Sequence, residues 1–178
     1  TPSAVGARRT VSPNALITRG SQCTAMKQAS LELVDIRGDT FGDGLTYPLG
    51  GIRLSEAAEG SIRKAERIAQ QVLETSPILA GLTGRTFYAV GGTWRSLAKL
   101  HMHQSDYPLH VMHNYALPAE AALELCRVVG RGAVDTLPKI ETISKQRRDL
   151  LPFGAVVMAQ VIKAGTPKEV VLSALGLR

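Results

Sequence analysis

A chain of 178 residues, 44% hydrophobic and 20% charged, can fill one well-packed domain or two small ones with an ordinary globular balance. No run nears the roughly 20 apolar residues that span a bilayer. Arg8 and Arg9 precede no signal-type apolar stretch, and Cys23 and Cys126 lack metal-ligand spacing, so a reducing cytoplasm is expected. A net charge of +6 favours polyanions, either nucleic acid or phosphate chains, with plain surface solvation as the alternative. The 4% of aromatics is not interleaved with Lys and Arg as single-strand binding requires.

Residues 1–29 carry Ser, Thr, Arg and Gly without helical or strand periodicity, which predicts loop, disorder or an ill-defined first strand. Ser30 to Ile36 reads as a strand buried on both sides, with Leu31 and Leu33 on one face and Val34 and Ile36 on the other. After the turn clusters Arg37-Gly38-Asp39 and Gly42-Asp43-Gly44, Leu45 to Leu54 is expected to be extended. It would pair back as a hairpin, with a bulge or close approach at Gly50 and Gly51. Ile62, Ala65, Ile68, Ala69, Val72 and Leu73 form a helical stripe that stops at Thr75, Ser76 and Pro77. Thr86 to Val90 is a short strand leading through Gly91-Gly92-Thr93 into a helix from Trp94 to about Met102. Further helices are predicted over about Pro118 to Val129, with Pro118 in the first turn, and from Leu150 or Leu151 to Gly165. Glu169 to Ser173 closes the chain as a strand. This order predicts an α/β class with a mixed sheet and flanking helices.

Chemistry concentrates at Ala89-Val90-Gly91-Gly92-Thr93-Trp94. A strand feeding two glycines, with Thr93 at the helix cap, aims backbone N–H groups at one spot, an arrangement suited to an anion. The structural alternative is a tight turn and nothing more. His101, His103, His110 and His113 fall within 13 positions, yet no cysteine or paired carboxylate completes a zinc set, which favours hydrogen-bonding roles. Cys126 reads as packed core. Ser55, Ser96 and Ser173 have no His-Asp constellation to activate them. Lys145, Arg147 and Arg148 form a basic run before the last helix.

Several segments taken together resemble the second half of the exopolyphosphatase / guanosine-pentaphosphate phosphohydrolase family. They are Ser30-Leu31-Glu32-Leu33-Val34, Tyr47-Pro48-Leu49-Gly50-Gly51-Ile52-Arg53-Leu54-Ser55-Glu56, Ala89 to Ala98, Tyr107 to His113, Arg147 to Ala155 and Leu172 to Arg178. They run in order over Ser30 to Arg178. The resemblance implies a ribonuclease-H-like domain of the actin-like ATPase superfold, domain II of a phosphatase. It also implies a divalent metal, usually magnesium, and water attack on a terminal phosphoryl group. Glu32 would help hold the metal, Ser30 would donate to phosphate, and Gly91, Gly92 and Thr93 would form a second phosphate-facing turn. Arg147 would fork onto phosphate oxygens. The general-base Glu is expected in a first domain that this chain lacks, so no catalytic residue is assigned within it.

One departure matters. The family's phosphate loop carries Asp, an apolar residue and three glycines before the Ser, where this chain has Ala25-Met26-Lys27-Gln28-Ala29. A β-carbon at each position obstructs close phosphate approach. A disrupted chain start or a degenerate relative is expected, inactive or weak alone. Alternatives are a non-catalytic phosphate or nucleotide-binding module completed by a partner domain, and half of a sugar or acetate kinase of the same fold. Expected partners are polyphosphate or guanosine pentaphosphate, the first domain, and a second copy through an exposed apolar face, with no membrane and no specific nucleic acid.

Overall fold

The computed structural model describes residues 21–26 (as backbone), 30–109, 111–131 and 134–174. Among the described residues there are six strands and seven helices, in the order β1 (Ser21–Met26), β2 (Leu31–Arg37), β3 (Thr40–Tyr47), α1 (Gly51–Ala57), α2 (Ile62–Leu73), α3 (Pro77–Ala80), β4 (Thr86–Val90), α4 (Gly92–Gln104), β5 (Tyr115–Pro118), α5 (Ala119–Gly130), α6 (Lys145–Arg148), α7 (Leu151–Gly165) and β6 (Glu169–Ser173). Two short 3-10 turns, Val134–Thr136 and Ile140–Thr142, link α5 to α6. One mixed sheet has the order β3-β2-β1-β4-β6-β5. The parallel pairs are β1–β4 and β4–β6, and the others are antiparallel. The α/β class and mixed sheet expected from the sequence are those observed.

Within the initial segment, Ser21–Met26 forms a strand, while residues 1–20 and 27–29 lie outside the described residues. In β2 the two-sided burial follows the side-chain alternation: Leu31 and Leu33 enter the main core. Val34 and Ile36 join Val90 in a second cluster made of strand residues alone. The expected extension from Leu45 to Leu54 is corrected. The strand ends at Tyr47, and Gly50 caps a helix that starts at Gly51. Buried Gly51, Leu54 and Ala58 lie three and four residues apart, a helical spacing that the glycines and Pro48 mask. The hairpin turns at Gly38 within the expected Arg37-Gly38-Asp39 cluster, whereas Gly42-Asp43-Gly44 lies inside β3, and the register irregularity falls between Val34 and Ile36 rather than at Gly50 and Gly51. Pro118 is likewise displaced: it ends β5 and caps α5 rather than entering its first turn.

The α2 helix follows its predicted stripe, with Ala65, Ala69 and Leu73 buried and Ser61 accepting from the Lys64 N–H at 3.4 Å. The central helix is α7, buried over almost its whole surface, against which α1, α2, α3, α4 and α5 all pack. Its far end is pinned beside the start of β4. The Gly84 N–H donates to the Thr166 carbonyl and the Lys168 N–H to that of Arg85, both at 3.0 Å. Fifteen residues span about 22 Å. The α7 N-terminus therefore lies at the opposite end, where β1, β4 and β6 finish. Among the described residues no helix is long and apolar enough to cross a membrane.

Candidate functional site at the carboxyl ends of the parallel strands

Sheet register gathers residues that the sequence scatters. Thr46 pairs with Glu32, Glu32 with Ala25, Ala25 with Val90 and Val90 with Ser173, so these five form one row across the sheet. Paired residues share a face, and Glu32 therefore stands on the side of Val34 and Val90. The row lies at the carboxyl end of β1, β4 and β6, the edge where open α/β sheets bind ligands. Ser30, half-buried, immediately precedes β2 at that edge.

The chain leaves β4 through Gly91, whose φ of 148° and ψ of 155° suit only glycine. This residue caps α4, and the first intrahelical bond runs from the Arg95 N–H to the Gly91 carbonyl at 3.0 Å. A β-carbon on Gly92 would meet nothing within 4 Å, so the space beside that residue is open. Thr93 is not the cap: it is the second residue of α4, and no side-chain bond caps the helix. The N–H groups of Gly92, Thr93 and Trp94 precede the first helical bond, and the positive helix end adds to them. Arg95, overlooked in the sequence, donates from Nη1 to the Ala174 carbonyl at 2.9 Å and ties the outgoing end of β6 to this turn.

Arg147 is exposed on α6, one short link before α7, and so belongs to the same end of the domain. Its neighbour Arg148 is engaged differently, with Nε donating to the Ile143 carbonyl at 3.0 Å and Nη1 to Asp135 at 3.3 Å. Beside it a cavity of about 370 Å³ opens between Ile62, Val134, Asp135, Arg148, Asp149 and Phe153. It joins the N-terminal ends of α2 and α7, a meeting visible only in three dimensions.

Among the described residues the histidines join no group that could hold a metal. His101 Nδ1 and the Tyr115 hydroxyl share a hydrogen bond of 2.7 Å, and burial lowers the His101 pKa below its usual value. His103 lies in the last turn of α4, His113 is exposed, and His110 lies outside the described residues. Among the described residues no group of three or more His, Cys, Asp or Glu side chains converges. Glu32 is thus a single carboxylate within its row, too small a donor set to hold a resident metal by itself. Cys126 is packed core, as its helical position suggests, with burial raising its thiol to about 12. Ser96 donates to the Gly92 carbonyl at 3.1 Å.

A mixed-sheet α/β domain with a glycine turn opening a helix at its carboxyl edge defines a broad class. Solved structures narrow it. The Aquifex aeolicus member of the Ppx/GppA family is similar over 91% of this chain and 54% of its own, with a TM-score of 0.72 and 17% identity. An exopolyphosphatase from Cytophaga hutchinsonii is similar over 90% and 55%, with a TM-score of 0.73 and 15% identity. An exopolyphosphatase-like protein gives 90% and 56%, a TM-score of 0.72 and 19% identity. The chain therefore has the fold of Ppx/GppA structures and spans about half their length. The sequence matches no protein-family model and no curated protein sequence.

Proposed function

We propose that this chain is the phosphate-binding second half of a Ppx/GppA-type phosphatase, a ribonuclease-H-like domain of the actin-like ATPase superfold acting in the cytoplasm. Its complete form hydrolyses the terminal phosphate of inorganic polyphosphate or guanosine pentaphosphate. The observation that carries this reading is the Gly91 turn, which opens α4 at the sheet edge in the same row end as Glu32. First-turn N–H groups, the Ser30 hydroxyl and the Arg147 guanidinium supply donors to phosphate oxygens, whose negative charge spreads further in the transition state. Glu32 would help hold a divalent cation, which would supply charge neutralisation for the phosphate when bound. The chain's own residues bind and orient the phosphate chain, and the base that activates water comes from a first domain.

Ala25 favours a second reading. It aligns with the family's metal-binding Asp, and its backbone pairs between Glu32 and Val90. A domain that binds phosphate chains without hydrolysing them fits that change. The deciding experiment measures phosphate release from long-chain polyphosphate and guanosine pentaphosphate, with magnesium and with chelator, alongside calorimetric binding. Salt-sensitive binding without release is expected from the chain alone. Magnesium-dependent release would overturn the half-site reading, and no binding by the folded chain would remove the phosphate site altogether.

A further inference from the structure

Helix α4 starts at the Gly91 turn and runs alongside the segment 137–154, which contains α6 and opens α7. Three α4 side chains reach backbone carbonyls on that segment. Trp94 Nε1 donates to Gly154 at 3.0 Å, Lys99 Nζ to Thr142 at 2.8 Å and Gln104 Nε2 to Pro138 at 2.9 Å. Thr142 and Gly154 bracket Arg147 in the chain. Between them, Arg148 folds back on the Ile143 carbonyl and the Arg147 N–H donates to Ser144 at 2.9 Å, which limits the freedom of the bracketed stretch. Trp94 is fully buried and meets Phe87 edge-on with ring centroids 5.6 Å apart, so its indole is fixed by packing. Loss of the Gly154 acceptor would leave a buried N–H unpaired, which disfavours sliding of α7 along α4.

We propose that Trp94 and Lys99 are positioning residues that set Arg147 relative to the Gly91-Gly92 turn. The guanidinium and the α4 N–H groups then act on one phosphate chain as a unit. The inference rests on the reading that the turn and Arg147 bind phosphate. Neither Trp94 nor Lys99 touches the ligand; each acts through the segment it holds.

A double-mutant cycle tests it, with inorganic tripolyphosphate as probe at fixed salt. Lys99 is exposed, so Lys99→Met keeps the fold. Lys99→Met and Arg147→Gln are each expected to weaken binding about threefold to tenfold, and the double variant to bind like Arg147→Gln alone. Additive losses, or no effect of Lys99→Met, overturn the proposal. Hydrogen exchange provides a readout independent of ligand: Lys99→Met should speed exchange of the amides at 143–150 and leave α2 unchanged. Unchanged exchange at 143–150 overturns the proposal as well. If the wild type does not bind tripolyphosphate, the phosphate reading fails and exchange alone decides whether α4 holds the segment. Trp94→Phe, which retains an aromatic ring, is expected to show the same loss of coupling; if it does not fold, Lys99→Met carries the test.

Discussion

Asp35 meets two guanidinium groups, with Arg85 Nη1 at 2.8 Å and Arg37 Nε at 3.1 Å, while Arg85 Nη2 also donates to the Ile36 carbonyl. Burial pushes the Asp35 carboxyl up, but these hydrogen bonds outweigh it and hold the pKa below its ordinary value. A lowered carboxylate pKa adds stability above the unfolded value of about 3.9, lost as pH falls through the folded one. Arg85→Met is expected to cost about 2 kcal/mol in urea unfolding at pH 7, between the values for exposed and buried pairs. It should also flatten the loss of stability as pH falls below about 4. His101 has the opposite charge chemistry and the same sign. Burial lowers its pKa, so the unfolded chain binds the proton more readily and stability falls as pH drops below about 6.5. His101→Gln, able to keep the bond to Tyr115, should reduce that slope between pH 7 and pH 5 in thermal melts.

At the scale of elements, the turn into α4 is the most exacting. Gly91→Ala would force a side chain onto a φ of 148°, with an expected loss of about 2 kcal/mol and weaker tripolyphosphate binding. Unchanged denaturant midpoint and affinity would count against a role for the turn. This element was readable from sequence because a strand, two glycines and a helical stripe are all local. So were α2 and α7, whose apolar periodicity is long. The start of α1 was not, because Pro48, Gly50 and Gly51 look like breakers, and only tertiary burial of Leu54 and Ala58 shows the helix. Tyr115–Pro118 was missed because four residues show too little alternation to mark an edge strand. The expected site residues were named by resemblance, but the row that links Glu32 to Val90, the residue before the Gly91 turn, depends on β1 pairing with both β2 and β4, which no local pattern encodes. No local pattern marks Arg95, whose acceptor lies 79 residues away at the end of β6.

For the whole molecule, self-association through an exposed apolar face is the expectation to test. Among the described residues Val34, Ile36 and Val90 are buried, and the large exposed apolar side chains are Phe41, Ile52, Tyr107, Leu109 and Val111. Three of these lie on the one loop between α4 and β5, with Leu109 73% exposed. If that loop drives self-association, replacing Leu109 and Val111 together by Ser should lower the weight-average mass in sedimentation while leaving the melting temperature nearly unchanged. Equal masses would exclude the loop as the contact. The position of α7 has a consequence during synthesis. Five helices made earlier rest on a segment made later, and β4, which can pair with β1 at once, gains its second neighbour only with β6. A growing chain can close the β2–β3 hairpin early, but the helix at the centre of the core is complete only when Gly165 has left the ribosome. Leu54, Leu73 and Leu97, all buried in the finished domain, lie on helices that lack their α7 neighbour until then. The domain thus folds late and nearly all at once, and the interval before α7 emerges is when it most needs a chaperone.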